Sequence, residues 1–404
     1  MRLGIYIDFE YTSQDGEVFT DEAVIRFVGG LAERVDELTF FGRLIPRPST
    51  GPYALPAGAR FQAFPHYESV TDLRRLIGAA RASAKIFSAE LARLDAVWLF
   101  GPHPLSLLFA AIARRQGKPV FLGIRQDFPR YIAGRLPNRL WSWAIPAAWS
   151  AEWIYRLLAR RLPTIVVGND LARKYGAGNG TVLATGFSLI RPEDLVSSDQ
   201  AAQKAWDGQL RLLNVGRLGP EKNPTLLPEI LAQLRQSDSR WRLAIAGTGP
   251  MAGAVRRRGQ ELGVSDALDL LGYVPNGPRL TAEYRRSHAF MHVSLTEGLP
   301  QVIFEAQAAG LPIVATDVGG VADALAGGDA GLLIPPADAP AAVAALELLR
   351  DDERLRGHLI ERGLELATRD TMDAQLDRIV EFFGSHIGAP QQVPCETQGS
   401  KTRR

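Results

Sequence analysis

Short apolar runs alternate with helix-period segments along almost the whole chain, and no other feature restricts the possible folds as strongly. Leu3 to Ile7, Glu37 to Phe41, Ala96 to Phe100, Val120 to Ile124 and Thr164 to Val167 read as strands of one sheet. Leu212 to Val215, Arg242 to Ala246, Leu268 to Leu271, Phe290 to Val293, Ile313 to Ala315 and Gly331 to Ile334 read as strands of a second. Strands that alternate with helices form parallel, doubly wound sheets, because each crossover helix must return the chain to the same end of the sheet. The expectation is an α/β protein with two such domains, residues 1–190 and 210–370, facing across a cleft. A linker spans 191–209, where Pro192, Ser197, Ser198, Asp199, Gln200 and Asp207 cluster. A last helix near 371–387 follows, then a polar tail from 388 to 404 that lacks apolar periodicity and reads as disordered.

Composition excludes several classes. A net charge of +2 is too small for a dedicated nucleic-acid binder. The single cysteine, Cys395, rules out an internal disulfide, and the six histidines show no metal-ligand spacing. The start of the chain turns acidic at Asp8, unlike a secretory leader, and no uncharged run approaches the ~20 residues needed to cross a bilayer. The chain is therefore expected to act in the cytoplasm.

Glu297-Gly-Leu-Pro-Gln-Val-Ile-Phe-Glu305 sets one carboxylate in a loop and another inside the helix that the loop opens. Pro300 suits the first helical position, and Gly310 with Pro312 ends the helix. The amides of Gly298 and Leu299 then lie at a helix N-terminus, which favours an anion. Glu305 is the only charge on an otherwise apolar helix and needs hydrogen-bond donors, from a ligand's hydroxyls or from a protein group. Upstream, Leu212-Leu-Asn-Val-Gly-Arg-Leu-Gly-Pro-Glu-Lys-Asn-Pro224 reads as strand, loop and helix, with Asn223 as N-cap. Arg217 and Lys222 occupy the loop beside the positive end of that helix, a placement that an external anion would compensate. The plainer alternative pairs one of them with Glu221. Ala246-Gly-Thr-Gly-Pro250 forms a third loop that admits close backbone approach.

Taken in order, Gly216-Arg217 with Lys222, Ala246-Gly-Thr-Gly-Pro250, Leu271-Gly-Tyr-Val274, the Glu297/Glu305 pair and Pro312-Ile-Val-Ala-Thr-Asp-Val-Gly-Gly320 make residues 210 to 335 resemble the donor-binding domain of family-four retaining glycosyltransferases of the GT-B fold. The resemblance implies that Arg217 and Lys222 hold the diphosphate of a nucleotide-sugar. It implies that Glu305 takes the ribose hydroxyls and Glu297 the sugar hydroxyls. The Gly298 and Leu299 amides would touch phosphate or sugar, the backbone around Tyr273 and Val274 the base, and Gly216 and Gly249 would belong to the same donor-binding set. Further implications are a first domain that holds the acceptor, a final helix that crosses back to it, and transfer of a hexosyl unit with retention to a glycan, a lipid-linked or a small acceptor. The setting would be cell-surface polysaccharide or glycoconjugate synthesis. No aspartate-x-aspartate site is evident, so no metal ion or other cofactor is expected. A sugar-nucleotide epimerase of the same fold, or a non-catalytic sugar-nucleotide binding protein, are the alternatives.

The first domain departs from the family pattern. Asp8 to Thr20 offers only Gly16 where relatives carry a Gly-Gly loop, and Arg125-Gln126-Asp127 stands where many place a histidine. Gly16, His103, Arg125 and Asp127 are the candidates on the acceptor or sugar side. Residues 125–161 hold Trp141, Trp143, Trp149 and Trp153 and seven Arg against two acids. Aromatics interleaved with Arg suit an anionic membrane surface, with Trp149, Trp153 and Arg160 as contacts; a helix pair packed on its own domain is the alternative.

Overall fold

The computed structural model describes residues 1–45, 51–66, 73–133, 142–176 and 181–388. The disorder expected for the tail, together with Cys395 and Trp141, lies outside them.

Two parallel sheets carry the fold. In the first, β1 (Arg2–Gln14), β3 (Glu37–Leu44), β5 (Arg60–Phe64), β6 (Ala96–Gly101), β7 (Val120–Ile124), β8 (Thr164–Val167) and β9 (Val182–Thr185) run in the order β5-β3-β1-β6-β7-β8-β9. In the second, β10 (Leu210–Val215), β11 (Trp241–Ala246), β12 (Leu268–Gly272), β13 (Ala289–His292), β14 (Ile313–Thr316) and β15 (Leu332–Ile334) run β12-β11-β10-β13-β14-β15. The strand order reverses between β1 and β6 in one sheet and between β10 and β13 in the other. A doubly wound sheet leaves a crevice at that point, because the flanking helices diverge to opposite faces.

Buried aliphatic and aromatic side chains cover both faces of each sheet. Trp241, Leu243 and Ile245 pack against Leu227, Ile230 and Leu231 of the helix Leu226–Ser237. On the first sheet, Ile5, Trp98 and Phe121 are covered by Leu376, Ile379 and Phe383 of the final helix, Met372–Ile387, with Phe383 ring centroids 4.6 Å from Phe121 and 5.6 Å from Trp98. The chain's last helix is thus seated on its first sheet. Burying one such side chain is worth about 1.5–3 kcal/mol, so this return contact binds the two halves firmly. At the crossing, Gln375 accepts from Thr185 Oγ1 (2.9 Å) and from the amides of Gly186 and Ser188.

Three local expectations are corrected. The segment Asp8 to Thr20, read as a loop offering Gly16, is a hairpin: β1 runs on to Gln14 and folds back antiparallel on β2 (Glu17–Thr20), which in turn pairs with β4 (Tyr53–Ala54). Gly16, at φ 85°, sits in the hairpin turn beside Asp15 at φ 53°. Asn223 caps no helix. It is left-handed (φ 47°) after the single turn Pro220–Lys222, and the next helix starts at Leu226. Pro300 is extended and precedes the helix Gln301–Ala308 by one residue, because its ψ of 114° turns the chain into the helix.

Candidate functional site

The loops at the carboxyl ends of β10, β11, β12, β13 and β14 are tied into one layer. Leu218 N donates to Thr248 O (2.8 Å), Gly247 N to Gly272 O (2.8 Å), Leu295 N to Glu221 O (2.8 Å) and Gly320 N to Gly298 O (2.9 Å). Two glycines make this closeness possible. A Cβ at Gly249 would stand 2.5 Å from Leu218 O, and one at Gly319, where φ is 55°, would stand 2.0 Å from Glu297 O. The layer brings Gly216, Arg217, Lys222, Gly249, Tyr273, Val274, Glu297, Gly298 and Leu299 to the same end of the sheet, with Lys222 and Glu297 meeting where the strand order reverses.

Glu297 is the electrostatic centre. Lys222 Nζ is paired with its Oε1, Ser294 Oγ donates to the same oxygen at 2.7 Å, and His292 Nε2 lies 2.9 Å away. Burial alone would raise the Glu297 pKa, but the His292 imidazole and the Lys222 ammonium hold it down at about 2. The expected cation pair is therefore divided. Lys222 is neutralised by Glu297, whereas Arg217 pairs with Glu221 in an exposed contact. That pairing is the plainer alternative read from the sequence, and in this high-dielectric setting it is weak enough to exchange for an anionic ligand.

Glu305 is buried one turn into its helix. Among the described residues neither an arginine nor a backbone group hydrogen-bonds it: Tyr284 OH donates at 2.7 Å and Asn276 Nδ2 at 2.9 Å. Burial raises the Glu305 pKa, and these two donors oppose the rise. Asn276 in turn accepts from Arg26 Nη1 of the first half at 2.6 Å. A cavity of about 600 Å³ opens beside Glu305, lined in part by Arg26, Asn276, Tyr284 and Arg191.

The first sheet faces this layer with its own strand ends. Asp8, on β1, accepts from Tyr6 OH and Arg43 Nε at 3.0 Å each, and His103 Nε2 lies 3.3 Å from it. This cluster again marks the reversal of strand order, between β1 and β6. Burial lowers the His103 pKa against the pull of Asp8. His103 also caps the helix Pro104–Arg115, accepting from Leu105 N. Arg125 stacks over Phe9 at 5.1 Å and lies 3.8 Å from Glu22. Asp127 is 3.0 Å from Lys174 Nζ, which is also 2.7 Å from the buried Glu152. Gly16 stands clear of these groups, and a Cβ added there would meet nothing within 4 Å. The halves touch at several points: Leu299 Cβ comes within 3.7 Å of the Cβ position of Gly168, Gln301 Nε2 donates to Gly186 O (2.6 Å), and Arg173 lies 3.6 Å from Asp323.

Sequence reasoning missed the groups that hold the two glutamates. His292 and Ser294 did carry a signal, since two polar residues at strand spacing just before Glu297 share one side of the chain. Asn276, Tyr284 and Arg26 carried none, because each reaches its partner across a long sequence separation.

Residues 197–366 match the family described as group 1 glycosyl transferases. A D-inositol 3-phosphate glycosyltransferase of Thermomonospora curvata is 33% identical over 228 residues, covering 53% of this chain and 52% of the relative. The sulfoquinovosyl transferase SQD2 of Arabidopsis thaliana is 26% identical over 321 residues, 74% of this chain and 57% of its own. The chain thus spans about half the length of the curated relatives it matches. Among solved structures, HepE of Anabaena in complex with UDP superposes with a TM-score of 0.69 at 14% identity, covering 95% of this chain and 100% of that one. WaaG, a glycosyltransferase involved in lipopolysaccharide biosynthesis, superposes at 0.64 and 15% identity, covering 96% and 100%.

Proposed function

We propose that this chain is a family-four, group 1 glycosyltransferase with the GT-B fold of its solved neighbours, and that it moves a hexosyl unit from a nucleoside-diphosphate sugar to an acceptor hydroxyl, with retention of anomeric configuration. One observation carries the reading. The loops after β10 and β13 set Arg217, Lys222 and Glu297 around the point where the strand order reverses, with Glu305 one helical turn further on. Solved structures of similar fold that hold UDP or UDP-glucose support the donor class.

In this reading the diphosphate lies against Arg217, Lys222 and the N-terminus of the helix Gln301–Ala308. Cleavage of the bond between anomeric carbon and phosphate oxygen leaves negative charge on the diphosphate, and preorganised cations stabilise it as it develops. Arg217 exchanges Glu221 for phosphate at little cost. Lys222 stays tethered to Glu297, which orients sugar hydroxyls while ionised and is not the nucleophile. Glu305, with Tyr284 and Asn276 already donating to it, accepts from the ribose with its remaining lone pairs. The acceptor, a glycan, a lipid-linked or a small molecule, enters from the side of Asp8, His103 and Arg125. It attacks from the leaving-group face, and the departing diphosphate takes its proton. No divalent ion is required in this scheme.

A thermal-shift panel of nucleoside diphosphates and their sugars tests the reading, since a ligand that binds only the native state raises Tm by mass action. One diphosphate and its sugar are expected to raise Tm, and Arg217→Ala to abolish the rise. A flat panel refutes the proposal. Donor turned over without acceptor into an epimer would replace transfer by epimerisation.

A further inference from the structure

The helix Ala144–Ala159 presents two opposite chemistries. Its inner face buries Ala148, Glu152, Tyr155 and Ala159. Tyr155 OH there donates to His103 O at 3.0 Å, and Glu152 meets Lys174 of the helix Asn169–Gly176, so this face holds the loop after β6 and the neighbouring helix of the first half. Its outer face is apolar and open: Trp149 is 55% exposed, Trp153 64%, Leu157 42% and Ile154 38%. These residues recur at three- and four-residue spacing, which lines them up as one stripe. Glu152, turned inward, is the only acid in the helix. At the C-terminal end of the stripe, Arg156, Arg160 and Arg161 are exposed.

We infer that this face docks in the plane of an anionic lipid bilayer, with the indoles and Ile154 and Leu157 in the headgroup boundary and the arginines on lipid phosphates. Three points select a bilayer as the occupant. Indole rings favour the wet, half-apolar headgroup zone. On the helix and just beyond it the exposed charge, Arg156, Arg160 and Arg161, is all of one sign and complements anionic lipid. The helix is 16 residues long, about 24 Å, too short to cross a ~30 Å hydrocarbon core, and no described helix is long and apolar enough to do so. The face therefore lies on the surface. Because the same helix grips the His103 loop and, through Lys174, the helix Asn169–Gly176 from behind, docking sets the edge of the cleft beside the lipid, where a lipid-linked acceptor hydroxyl would be presented. The docking itself does not depend on the transfer reaction.

The test is flotation of the full chain with vesicles of phosphatidylcholine alone and of phosphatidylcholine mixed with phosphatidylglycerol, at low and high salt. The wild type is expected to float with the mixed vesicles only, and less at high salt. Trp153→Glu with Leu157→Glu should lower partitioning at least tenfold, and Arg160→Gln with Arg161→Gln roughly fivefold per charge removed. All four side chains are exposed, so the variants should keep the wild-type melting temperature and donor-induced Tm shift. Failure of wild type to float with the mixed vesicles overturns the inference. So does undiminished flotation of the Trp153→Glu, Leu157→Glu variant. A wild-type dimer that this variant splits, without any flotation, would assign the face to a second copy of the chain instead.

Discussion

Replacing Glu297 by Gln removes a charge from the most strongly coupled group of the site. The carboxylate has 9% of its side chain exposed and is held at a pKa of about 2, against an ordinary 4.5, by His292 and Lys222 in spite of its burial. At about 1.4 kcal/mol per pH unit, that gap corresponds to on the order of 3 kcal/mol of native-state stabilisation. The sign follows from the depressed value. The contribution is fully present above pH 4.5 and is lost as pH falls from there through about 2. Glu297→Gln can keep the Ser294 hydrogen bond but gives Lys222 no counter-charge. The variant should thus be less stable than wild type by about 2–3 kcal/mol at pH 7, and this deficit should shrink as both proteins are taken toward pH 2–3. Urea unfolding followed by indole fluorescence reads this, since Trp241 is fully buried in the core of the same sheet. A deficit that stays constant from pH 7 to pH 3, or one below about 0.5 kcal/mol at pH 7, would refute the coupling of Glu297 to Lys222 and His292.

Arg217→Ala should separate chemistry from stability. Its exposed pair with Glu221 is worth less than about 1 kcal/mol, whereas loss of a preorganised cation should cut kcat ~100-fold; a large fall in Tm with normal turnover would reverse the assignment. Tyr284→Phe leaves one oxygen of buried Glu305 without its 2.7 Å donor and should cost about 1–3 kcal/mol in a denaturant titration. Gly319→Ala places a Cβ 2.0 Å from Glu297 O at a φ of 55° and should destabilise by more than about 1 kcal/mol while weakening nucleotide binding in calorimetry. Unaltered binding would separate that loop from the site.

Much of the site was legible because its parts are local. Lys222 lies six residues beyond Gly216, and Glu305 eight beyond Glu297, so each pair belongs to one strand-end loop and its following turn. The strands β7 and β8 could be bounded to the residue because each is a short, buried run rich in β-branched and apolar residues between helices. The hairpin of β1 and β2 was not legible. Glu10, Thr12 and Ser13 look like a loop, and only the pairing of Thr12 with Phe19, with β4 beyond, makes them strand. Nor was the partner of Glu305, since Asn276 and Tyr284 approach it from 29 and 21 positions away.

The sequence by itself determined that two parallel α/β sheets would form and which loops would carry charge, because strand period, helix period and turn chemistry act over a few residues. Tertiary structure alone decided how those charges are spent. It set Lys222 against Glu297 and left Arg217 with an exposed partner. It turned Glu152 inward and Trp153 outward on one helix, and it laid the last helix across the first sheet. Those outcomes depend on burial and on contacts between distant segments, where the cost of desolvating a charge is settled by whichever side chain the fold brings within about 3 Å.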